Sequence, residues 1–371
     1  MKENNMETMK KRARLIAFYL PQYHPIADND LWWGKGFTEW ISVAKARPLF
    51  RGHEQPKIPG ELGFYDLRVE ETRILQAELA REYGIEGFCY WHYWMGNGKR
   101  LLERPFEEVL QSGKPDFPFC LAWANHDWKG RAFGAQDRLL CKQEYPGKED
   151  YKAHFYFLLK AFRDKRYITV DGKPLIVIYW PKLVPDCKML TDYWRELALK
   201  EGLKGLHIVS DNTSMLRIEQ YGLDAVLVTR HRFLDHLTGY CGGDWGWVRK
   251  ILKTIKSPYN ILNKYPYKKA MKYYLQEGGY TKVEYPNIVP NWDTTPRLGR
   301  DATIVYGSTP ELFRQHVRAT LEKVKGKAYE ENIVFVRAWN EWAEGNYIEP
   351  DDKWGRAYLE VLRDEMMTRD G

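Results

Sequence analysis

Residues 333–350 read IVFVRAWNEWAEGNYIEP, an apolar run followed by a loop that carries two acids close together. The run from Ile333 to Trp339 is short and rich in β-branched and aromatic residues, which predicts a buried strand. Glu341 and Glu344 then follow three residues apart, among tryptophans and a glycine. Two carboxylates in a tight turn after a strand can face one cleft, so the stretch predicts a strand and a candidate catalytic site together.

Seven more segments have the composition of strands, and helical patterns lie between several of them. The strand-like segments are residues 14–20, 85–91, 118–124, 174–180, 206–211, 225–230 and 287–292. Apolar residues recur at helical spacing in residues 68–84, 182–202, 309–327 and 353–367. Strands that alternate with helices are typical of a parallel sheet, and eight such units close a barrel. We therefore predict a single (β/α)8 TIM barrel with long loops after strands 1, 3 and 6.

The 371 residues contain no internal repeat and no Gly/Ser-rich linker that would separate two domains. We expect a barrel domain over residues 13–371, with a basic helical insertion at about 240–285, and a disordered N-terminal tail over residues 1–12. The apolar run 15–20 is shorter than the ~7–15 residues of a secretory signal core, and no stretch reaches the ~20 apolar residues of a membrane span. Because the five cysteines also lack a CxxC spacing, we expect a cytoplasmic protein.

Aromatic residues are unusually frequent, at 15% of the chain, and many follow the predicted strands. The C-terminal strand ends carry the active site of this fold, and flat rings beside polar groups suit sugars. The predicted substrate-binding residues are Tyr23, His24, Glu39, Trp40, His92, Tyr93, Trp123, Asn125, His126, His231, Asn291, Trp292, Asp293, Trp339, Asn340 and Tyr347. Taken singly, each has an alternative role in packing or capping, such as Glu39 as a helix-capping acid.

Glu341 and Glu344 are the predicted catalytic pair. Glycoside hydrolysis needs one carboxyl group to protonate the leaving oxygen while another acts as base or stabilises the oxocarbenium-like centre. Neighbouring indoles would raise the pKa of one acid and so separate the two roles. The alternative is a structural role, in which the acids cap a helix or pair with Arg337. The histidines have no HxxH or HxxxH spacing, so we expect no metal site and no cofactor.

Two other segments are candidates for a binding role. Asp28 to Asp30 read DND, the Asp-x-Asp pattern of many nucleotide-sugar glycosyltransferases, but no Gly-rich phosphate loop accompanies it and we interpret it as a turn. Residues 249–282 hold nine Lys or Arg and one acid, which accounts for the net charge of +7. This segment is either a solvated helical excursion or a peripheral contact for a membrane surface or an anionic polysaccharide. The rest of the chain is nearly neutral, so nucleic acid is not an expected partner.

Five long motifs follow one another along the chain: FYLPQYHP (18–25), WWGKGFTEW (32–40), GIEGFCYWHYW (84–94), LAWANHDW (121–128) and AWNEWAEGNYIEPD (338–351). Together they resemble the WbsX-type family, the glycoside hydrolase family 99-like proteins often found among lipopolysaccharide and O-antigen biosynthesis genes. The resemblance extends from about Leu15 to the C-terminal helix. It implies a (β/α)8 barrel, and members are commonly described as glycosyltransferases.

The resemblance also implies a mechanism for the two acids. The retaining endo-acting α-mannosidases of family 99 carry the motif Asn-Glu-Trp-His-Glu-Gly, which residues 340–345 match except that Ala343 stands in place of His. By this resemblance Glu341 is the base that takes the proton of the sugar 2-hydroxyl, which gives a 1,2-anhydro sugar. Glu344 is the acid for the leaving oxygen and then the base for water or an acceptor.

Three classes of function follow from the residues and the resemblance. The first is an enzyme of cell-surface polysaccharide metabolism that cleaves or transfers an α-linked glycosyl unit, with a glycan or glycoconjugate as its substrate. The second is a glycosyltransferase that uses a nucleotide-linked or lipid-linked sugar. The third is a non-catalytic glycan-binding barrel, against which the retained pair of Glu341 and Glu344 argues.

Overall fold

The computed structural model describes residues 9–130, 138–228, 262–275 and 278–369, and eight parallel strands form its centre. We label them β1 to β8: Arg14–Tyr19, Gly87–Trp94, Phe119–Trp123, Lys173–Ile178, His207–Ser210, Ala225–Val228, Glu284–Ile288 and Ile333–Val336. Each strand pairs in parallel with the next one along the chain, and β8 pairs with β1. The ring is therefore closed, which confirms the predicted (β/α)8 barrel.

Helices lie between the strands and in the long loops. They are α1 Ala27–Trp33, α2 Glu39–Lys45, α3 Glu70–Glu82, α4 Arg104–Ser112, α5 Lys148–Phe162, α6 Cys187–Lys200, α7 Ile218–Tyr221, α8 Tyr267–Tyr274, α9 Thr295–Leu298, α10 Pro310–Val324 and α11 Ala357–Met366. The four predicted helices correspond to α3, α6, α10 and α11. At the start of α10 the Thr309 hydroxyl accepts the amide of Leu312 at 3.3 Å, and Pro310 occupies the first turn.

Short elements complete the described chain. The remaining strands are Met9–Lys11, Arg100–Leu101, Trp128–Lys129, Leu139–Cys141, Thr169–Val170, Asn263–Pro266, Thr303–Tyr306 and Met367–Arg369. The 3-10 turns are Pro181–Leu183, Met215–Arg217, Gly299–Asp301, Tyr329–Glu331 and Trp342–Glu344. Long connections follow β1, β3 and β6, as predicted. Within the described residues no helix has both the length and the apolar character needed to cross a bilayer.

Aromatic and aliphatic side chains fill the core on both faces of the sheet. All residues of β1 and β2 are buried, as expected for parallel strands covered by helices. Inside the barrel, Phe18 stacks on Trp91 with ring centroids 4.8 Å apart and lies 5.3 Å from the ring of Phe335. The interior is thus packed, and open space is left at the C-terminal ends of the strands, where the cavity described below lies.

The structure corrects two of the sequence interpretations. The seventh strand is Glu284–Ile288 and not 287–292, because Val289 and Trp292 leave the ladder and pack in a second apolar cluster with Tyr265 and Tyr267. Asp28 to Asp30 lie in α1 and not in a turn; acids in a first helical turn favour its positive end.

The two segments expected to lie outside the barrel are only partly described. In the segment expected to be disordered, residues 9–11 pair antiparallel with residues 367–369. Residues 229–261, which include His231, the first part of the basic insertion and much of the predicted 249–282 contact segment, lie outside the described residues, as do residues 276–277. The described part includes α8, where Tyr267, Met271 and Tyr274 are buried.

Candidate active site

A cavity of about 260 Å³ lies at the C-terminal ends of the barrel strands. Its walls come from the loops after several strands and combine aromatic rings with charged groups. The lining residues are Leu20, Gln22, Trp33, Glu39, Trp91, Tyr93, Ala124, His126, Asp127, Trp128, Lys129, Leu140, Tyr179, Arg297, Arg337, Glu341, Glu344 and Asn346. This end of a (β/α)8 barrel is where active sites of the fold occur.

The loop after β8 is fastened to the exit of β1. The side chain of Asn340 accepts the amide of Leu20 at 2.7 Å and donates to its carbonyl at 3.0 Å. The Tyr23 hydroxyl donates to the Asn340 carbonyl at 2.6 Å and accepts the amide of Trp342 at 3.1 Å. These bonds are buried, so Glu341 is held between two fixed residues.

Gly345 closes the turn that carries the two acids. Its φ is +66°, in the left-handed region that favours glycine. A Cβ atom at this position would lie 2.9 Å from the backbone nitrogen of Asp293, which itself donates to the Glu344 carbonyl at 2.7 Å. A side chain at position 345 would therefore push the turn away from its support and displace Glu344.

Glu341 is buried and lies against an indole. Trp91 Nε1 donates to Oε1 of Glu341 at 3.0 Å, whereas Oε2 has no hydrogen-bond partner among the described residues. Burial and then the charge of Glu344 raise the pKa of Glu341 to about 7, against the opposing effect of Arg297. A carboxyl group with this pKa still holds its proton in part at neutral pH.

Arg297 joins three carboxyl groups at the cavity. Its guanidinium contacts Glu344 directly and binds Glu39 with Nη2 at 2.9 Å and Nε at 3.3 Å. Nη2 also lies 3.6 Å from Oε2 of Glu341. Burial works against the charged guanidinium, but the carboxylates of Glu39, Glu344 and Glu341 together hold the pKa of Arg297 well above its ordinary value.

A second arginine lines the cavity next to the pair. Arg337 directly follows β8 and binds Asp211 with Nη2 at 2.6 Å; both side chains are buried. Its guanidinium carbon lies 4.3 Å from the ring centroid of Phe18 and 5.5 Å from that of Trp91. The structure therefore shows no ion pair between Arg337 and either acid of the predicted catalytic pair, because the Arg337 guanidinium is paired with Asp211.

Aromatic side chains form the walls on either side of the acids. Trp128 packs edge to face against Tyr93 at 5.1 Å between ring centroids, and it also contacts Trp32 at 5.7 Å. On the other side Tyr179 lies 5.2 Å from the ring of His126 and edge to face with Trp91 at 5.4 Å. Flat rings of this kind offer stacking surfaces for the apolar faces of sugars.

The structure brings five of the predicted site residues together in this cavity, namely Glu39, Tyr93, His126, Glu341 and Glu344. The other predicted residues that the structure describes do not line it. They are Tyr23, His24, Trp40, His92, Trp123, Asn125, Asn291, Trp292, Asp293, Trp339, Asn340 and Tyr347. His231 lies outside the described residues.

Several of these residues support the cavity from behind. Asn125 accepts the amide of Trp180 at 2.8 Å and donates to its carbonyl at 2.9 Å. Asp293 accepts a hydrogen bond from the Gln55 amide at 2.7 Å, and its carboxylate lies 2.8 Å from Nε2 of His53. Burial alone would raise the pKa of Asp293, but its hydrogen bonds with His53 and Gln55 help to hold that pKa below the ordinary value. Such side chains fix loops in place, which explains why polar residues occur there without facing the cavity.

Other predicted site residues that do not line this cavity lie in the core or at a second, smaller cavity. Trp40 is buried and donates its indole N–H to the Tyr65 carbonyl at 2.8 Å. His24 is buried, and burial lowers its pKa to about 4. Trp339 is fully buried, and Trp292 belongs to the second apolar cluster. Asn291 and Tyr347 line a separate cavity of about 40 Å³.

Strand alternation explains why His92 and Trp123 miss the cavity. Successive side chains of a strand point to opposite faces, so Trp91 and Tyr93 face the cavity while His92 lies on the outer face of β2. There His92 Nε2 lies 2.9 Å from Nε2 of His154 on α5, and burial lowers the pKa of His92 to about 3. Trp123 contacts the same helix, with its ring centroid 4.9 Å from that of His154.

The lining residues that the predicted set of site residues lacks include Trp91, Arg297 and Arg337. Trp91 could have been found from Tyr93, because residues two apart on a strand share a face. Arg337 lies within the eighth predicted strand, so its position was visible, but its partner Asp211 was not. Nothing near Arg297 in the sequence indicates its contact with Glu39, which is 258 residues away.

Solved structures share this fold. One is described as "Glycoside hydrolase-like protein" and has a TM-score of 0.58 at 14% identity, with 96% of this chain and 94% of that chain covered. Another is the GH99 endo-alpha-mannosidase from Bacteroides thetaiotaomicron, with a TM-score of 0.55 at 14% identity and coverage of 95% and 96%. The fold is therefore that of glycoside hydrolase family 99-like (β/α)8 barrels.

The chain belongs to the family described as Glycosyltransferase WbsX, which matches residues 15–362. It is also 32% identical over 371 residues to a protein of Xanthomonas campestris pv. campestris strain B100 described as "Uncharacterized protein WxcX". The match covers 96% of this chain and 50% of that protein, and a second strain has a relative at the same identity. The chain thus spans about half the length of the curated relatives it matches.

Proposed function

We propose that the protein is a carbohydrate-active enzyme of cell-surface polysaccharide metabolism that cleaves or transfers an α-linked glycosyl unit, with Glu341 and Glu344 as its catalytic pair. The observation that carries the proposal is that both carboxyl groups line one cavity with Trp91, Tyr93 and Trp128 at the C-terminal end of the barrel. Membership of the WbsX family and the family 99-like fold support it.

The proposed reaction proceeds in two steps with retention. Ionised Glu341 takes the proton of the sugar 2-hydroxyl, O2 attacks C1, and the bond to the leaving oxygen breaks as Glu344 gives that oxygen its proton. In the second step ionised Glu344 takes a proton from water or an acceptor hydroxyl, whose oxygen attacks C1. The C1–O2 bond then opens and O2 regains its proton from Glu341.

This reaction needs one proton on the pair at the outset, and the electrostatics of the site support that. Burial raises the pKa of Glu341 to about 7, so the pair retains a proton close to neutral pH. When two carboxyl groups interact, the proton belongs to the pair and not to one residue alone. The pair can therefore supply one acid and one base at the same pH.

Ala343 argues against assigning the substrate of the α-mannosidases to this protein. Ala343 is fully buried in the turn between the two acids. In the family 99 hydrolases a histidine stands at the matching place, so this chain lacks one polar group beside the pair. We propose that this change contributes to a glycan preference different from that of the mannosidases.

A second candidate is a glycosyltransferase that uses a nucleotide-linked or lipid-linked sugar, and the description of the family as Glycosyltransferase WbsX favours it. The two candidates differ in their need for an activated donor. The glycosidase-like mechanism breaks a glycosidic bond without one, whereas the transferase has no reaction in its absence.

The experiment is a panel of bacterial surface polysaccharides and α-linked oligosaccharides, incubated with and without nucleotide sugars and Mg²⁺. The matched variants are Glu341→Gln and Glu344→Gln, which keep the side-chain shape and remove the acid. We expect donor-independent cleavage or transfer that each substitution lowers by at least about 100-fold, the size of a lost general acid or base. Nucleotide-dependent transfer that both substitutions leave intact would overturn the proposal in favour of the second candidate.

A further inference from the structure

The guanidinium of Arg297 lies where three chain segments meet. Glu39 begins α2, Arg297 lies in α9, and Glu341 and Glu344 belong to the loop after β8. The contacts described above join this one cation to all three carboxyl groups. The planar guanidinium of an arginine can bind two groups at once, so Arg297 shares its positive charge among the three acids.

Glu39 anchors one side of the fork. Its side chain is only 1% exposed, and both of its oxygens are bound by Arg297, at 2.9 Å to Nη2 and 3.3 Å to Nε. Burial raises the pKa of Glu39, while Arg297 acts in the opposite direction. The Glu39 contact is thus fixed and enclosed, and the rest of the guanidinium is directed towards the catalytic pair.

The two catalytic acids do not share Arg297 equally. Glu344 is in direct contact with Nη1, whereas Oε2 of Glu341 is 3.6 Å from Nη2 and has no hydrogen-bond partner among the described residues. A typical N–H···O bond is about 2.9 Å long, so a movement of roughly 0.7 Å would bring Nη2 into bonding distance of that oxygen.

We propose that Arg297, anchored by Glu39, determines which of Glu341 and Glu344 carries the proton that the pair shares; this inference rests on the proposed function. With the guanidinium on Glu344, that carboxyl group is ionised and the proton is on Glu341. Movement of the guanidinium to Glu341 ionises it and transfers the same proton to Glu344. The total charge is unchanged, and the pair has reached the arrangement from which the first step begins.

Charged groups face Glu341 from several elements, and their signs differ. Glu344 from the same loop and Glu39 from α2 raise its pKa, after burial, which is the largest cause. Arg297 from α9 and Arg337 at the end of β8 lower it. The hydroxyl of Tyr93 on β2 stays neutral, because burial and then Glu341 raise its pKa. Removing Arg297 and removing Glu39 must therefore shift the titration of Glu341 in opposite directions.

Trp91 provides a signal that needs no substrate. Its indole N–H donates to Glu341, so the NMR shift of that proton and nitrogen should follow the ionisation of Glu341. In the full chain with ¹⁵N-labelled tryptophan, the Trp91 signal is identified as the one missing from Trp91→Phe. We expect a midpoint of about 7 for the unmodified protein.

The variants test the role of Arg297. Arg297→Gln should raise the midpoint by about one pH unit or more, and Glu39→Gln should lower it. Arg297→Lys keeps the charge but lacks the planar guanidinium, so its midpoint should lie between those of Arg297→Gln and the unmodified protein. Arg300→Gln removes the same charge from an exposed position three residues away, and it should leave the midpoint unchanged because solvent screens that charge.

The results separate this inference from the proposed function. Midpoints of Arg297→Gln and Glu39→Gln that match the unmodified protein, or that move in the same direction, overturn the role of Arg297 even if Glu341→Gln abolishes activity. If the protein is inactive on every glycan, the proposed function is contradicted, but opposite midpoint shifts of Arg297→Gln and Glu39→Gln would still support the role of Arg297. Circular-dichroism melting checks folding; if Arg297→Gln is unfolded, Arg297→Lys and Glu39→Gln decide the question through the same opposite shifts.

Discussion

Asn340 binds Leu20 through both ends of its amide: the oxygen accepts the Leu20 N–H at 2.7 Å, and the nitrogen donates to the Leu20 carbonyl at 3.0 Å. The two residues are 320 positions apart, so this side chain joins the last strand of the barrel to the first. Asn340, which precedes Glu341, is therefore a structural residue, and its hydrogen bonds to Leu20 fix the position of Glu341.

Replacing Asn340 should both destabilise the protein and impair catalysis. Asn340→Leu leaves a buried N–H and a buried carbonyl of Leu20 without partners, at about 1–3 kcal/mol for each group. We expect the free energy of unfolding, measured by urea denaturation, to fall by at least about 2 kcal/mol, with a further loss of turnover in the fraction that stays folded. An unchanged urea midpoint would contradict the structural role.

The aromatic wall should contribute to substrate affinity more than to turnover. Trp128→Ala removes a ring from the cavity, and because an aromatic contact is worth about 1 kcal/mol, KM should rise about fivefold with kcat nearly constant. Trp354→Ala is the matched control, since Trp354 borders the smaller cavity and not this one. Steady-state kinetics on a responding glycan give both constants, and equal effects of the two substitutions would argue against a sugar platform at Trp128.

The pH profile should have an alkaline limb near neutrality. The proposed reaction requires one proton on the pair of Glu341 and Glu344, and the empty site loses that proton as Glu341 ionises with a pKa of about 7. The value of kcat/KM should therefore fall tenfold for each pH unit above about 7. Rates that keep rising from pH 7 to pH 9 would show that the fully ionised pair is the active form.

Glu349 should make the fold less stable as pH rises. It is buried and accepts hydrogen bonds from Trp342, Gln76 and Tyr65, yet burial raises its pKa to about 7 from the ordinary 4.5. The folded state therefore holds this proton more tightly than the unfolded state, so the group's contribution to stability is present below about pH 4.5 and is lost as pH rises towards 7.

Glu349→Gln removes that titration and tests it. Urea unfolding at pH 5 and pH 8 should show a smaller loss of stability for the variant than for the unmodified protein, by an amount on the order of 3 kcal/mol. The Gln side chain changes the hydrogen bonds at both pH values alike, so only the difference between them is compared. The same loss in both proteins would mean that Glu349 is ionised in the fold throughout.

The strands of the barrel were predictable because each is a short run of buried, β-branched and aromatic residues. It was harder to predict which residues face the cavity. The alternation along β2 allows either Trp91 with Tyr93 or His92 with Trp94 to point inward, and composition does not decide between them when all four are aromatic or polar enough for a sugar site. Packing against α5 decides it, because His92 and Trp94 both lie against His154.

Arg297 shows a second limit. Glu341 and Glu344 were found because they are close together in the chain after a recognisable strand. The arginine that contacts both acids comes from a different loop, and its partner Glu39 comes from a third. Only the closure of the barrel brings these loops together, so no local pattern could have shown the cluster.

The proposed retaining mechanism is tested most directly by ¹H NMR of the sugar first released from a responding glycan in buffer without nucleotide sugars. We predict release without any activated donor, with the anomeric configuration of the substrate retained in the first-formed product, and loss of the signal with Glu341→Gln or Glu344→Gln. Release that begins only when a nucleotide sugar is added, or a first product of inverted configuration, would contradict the assignment of Glu341 and Glu344 as a retaining catalytic pair.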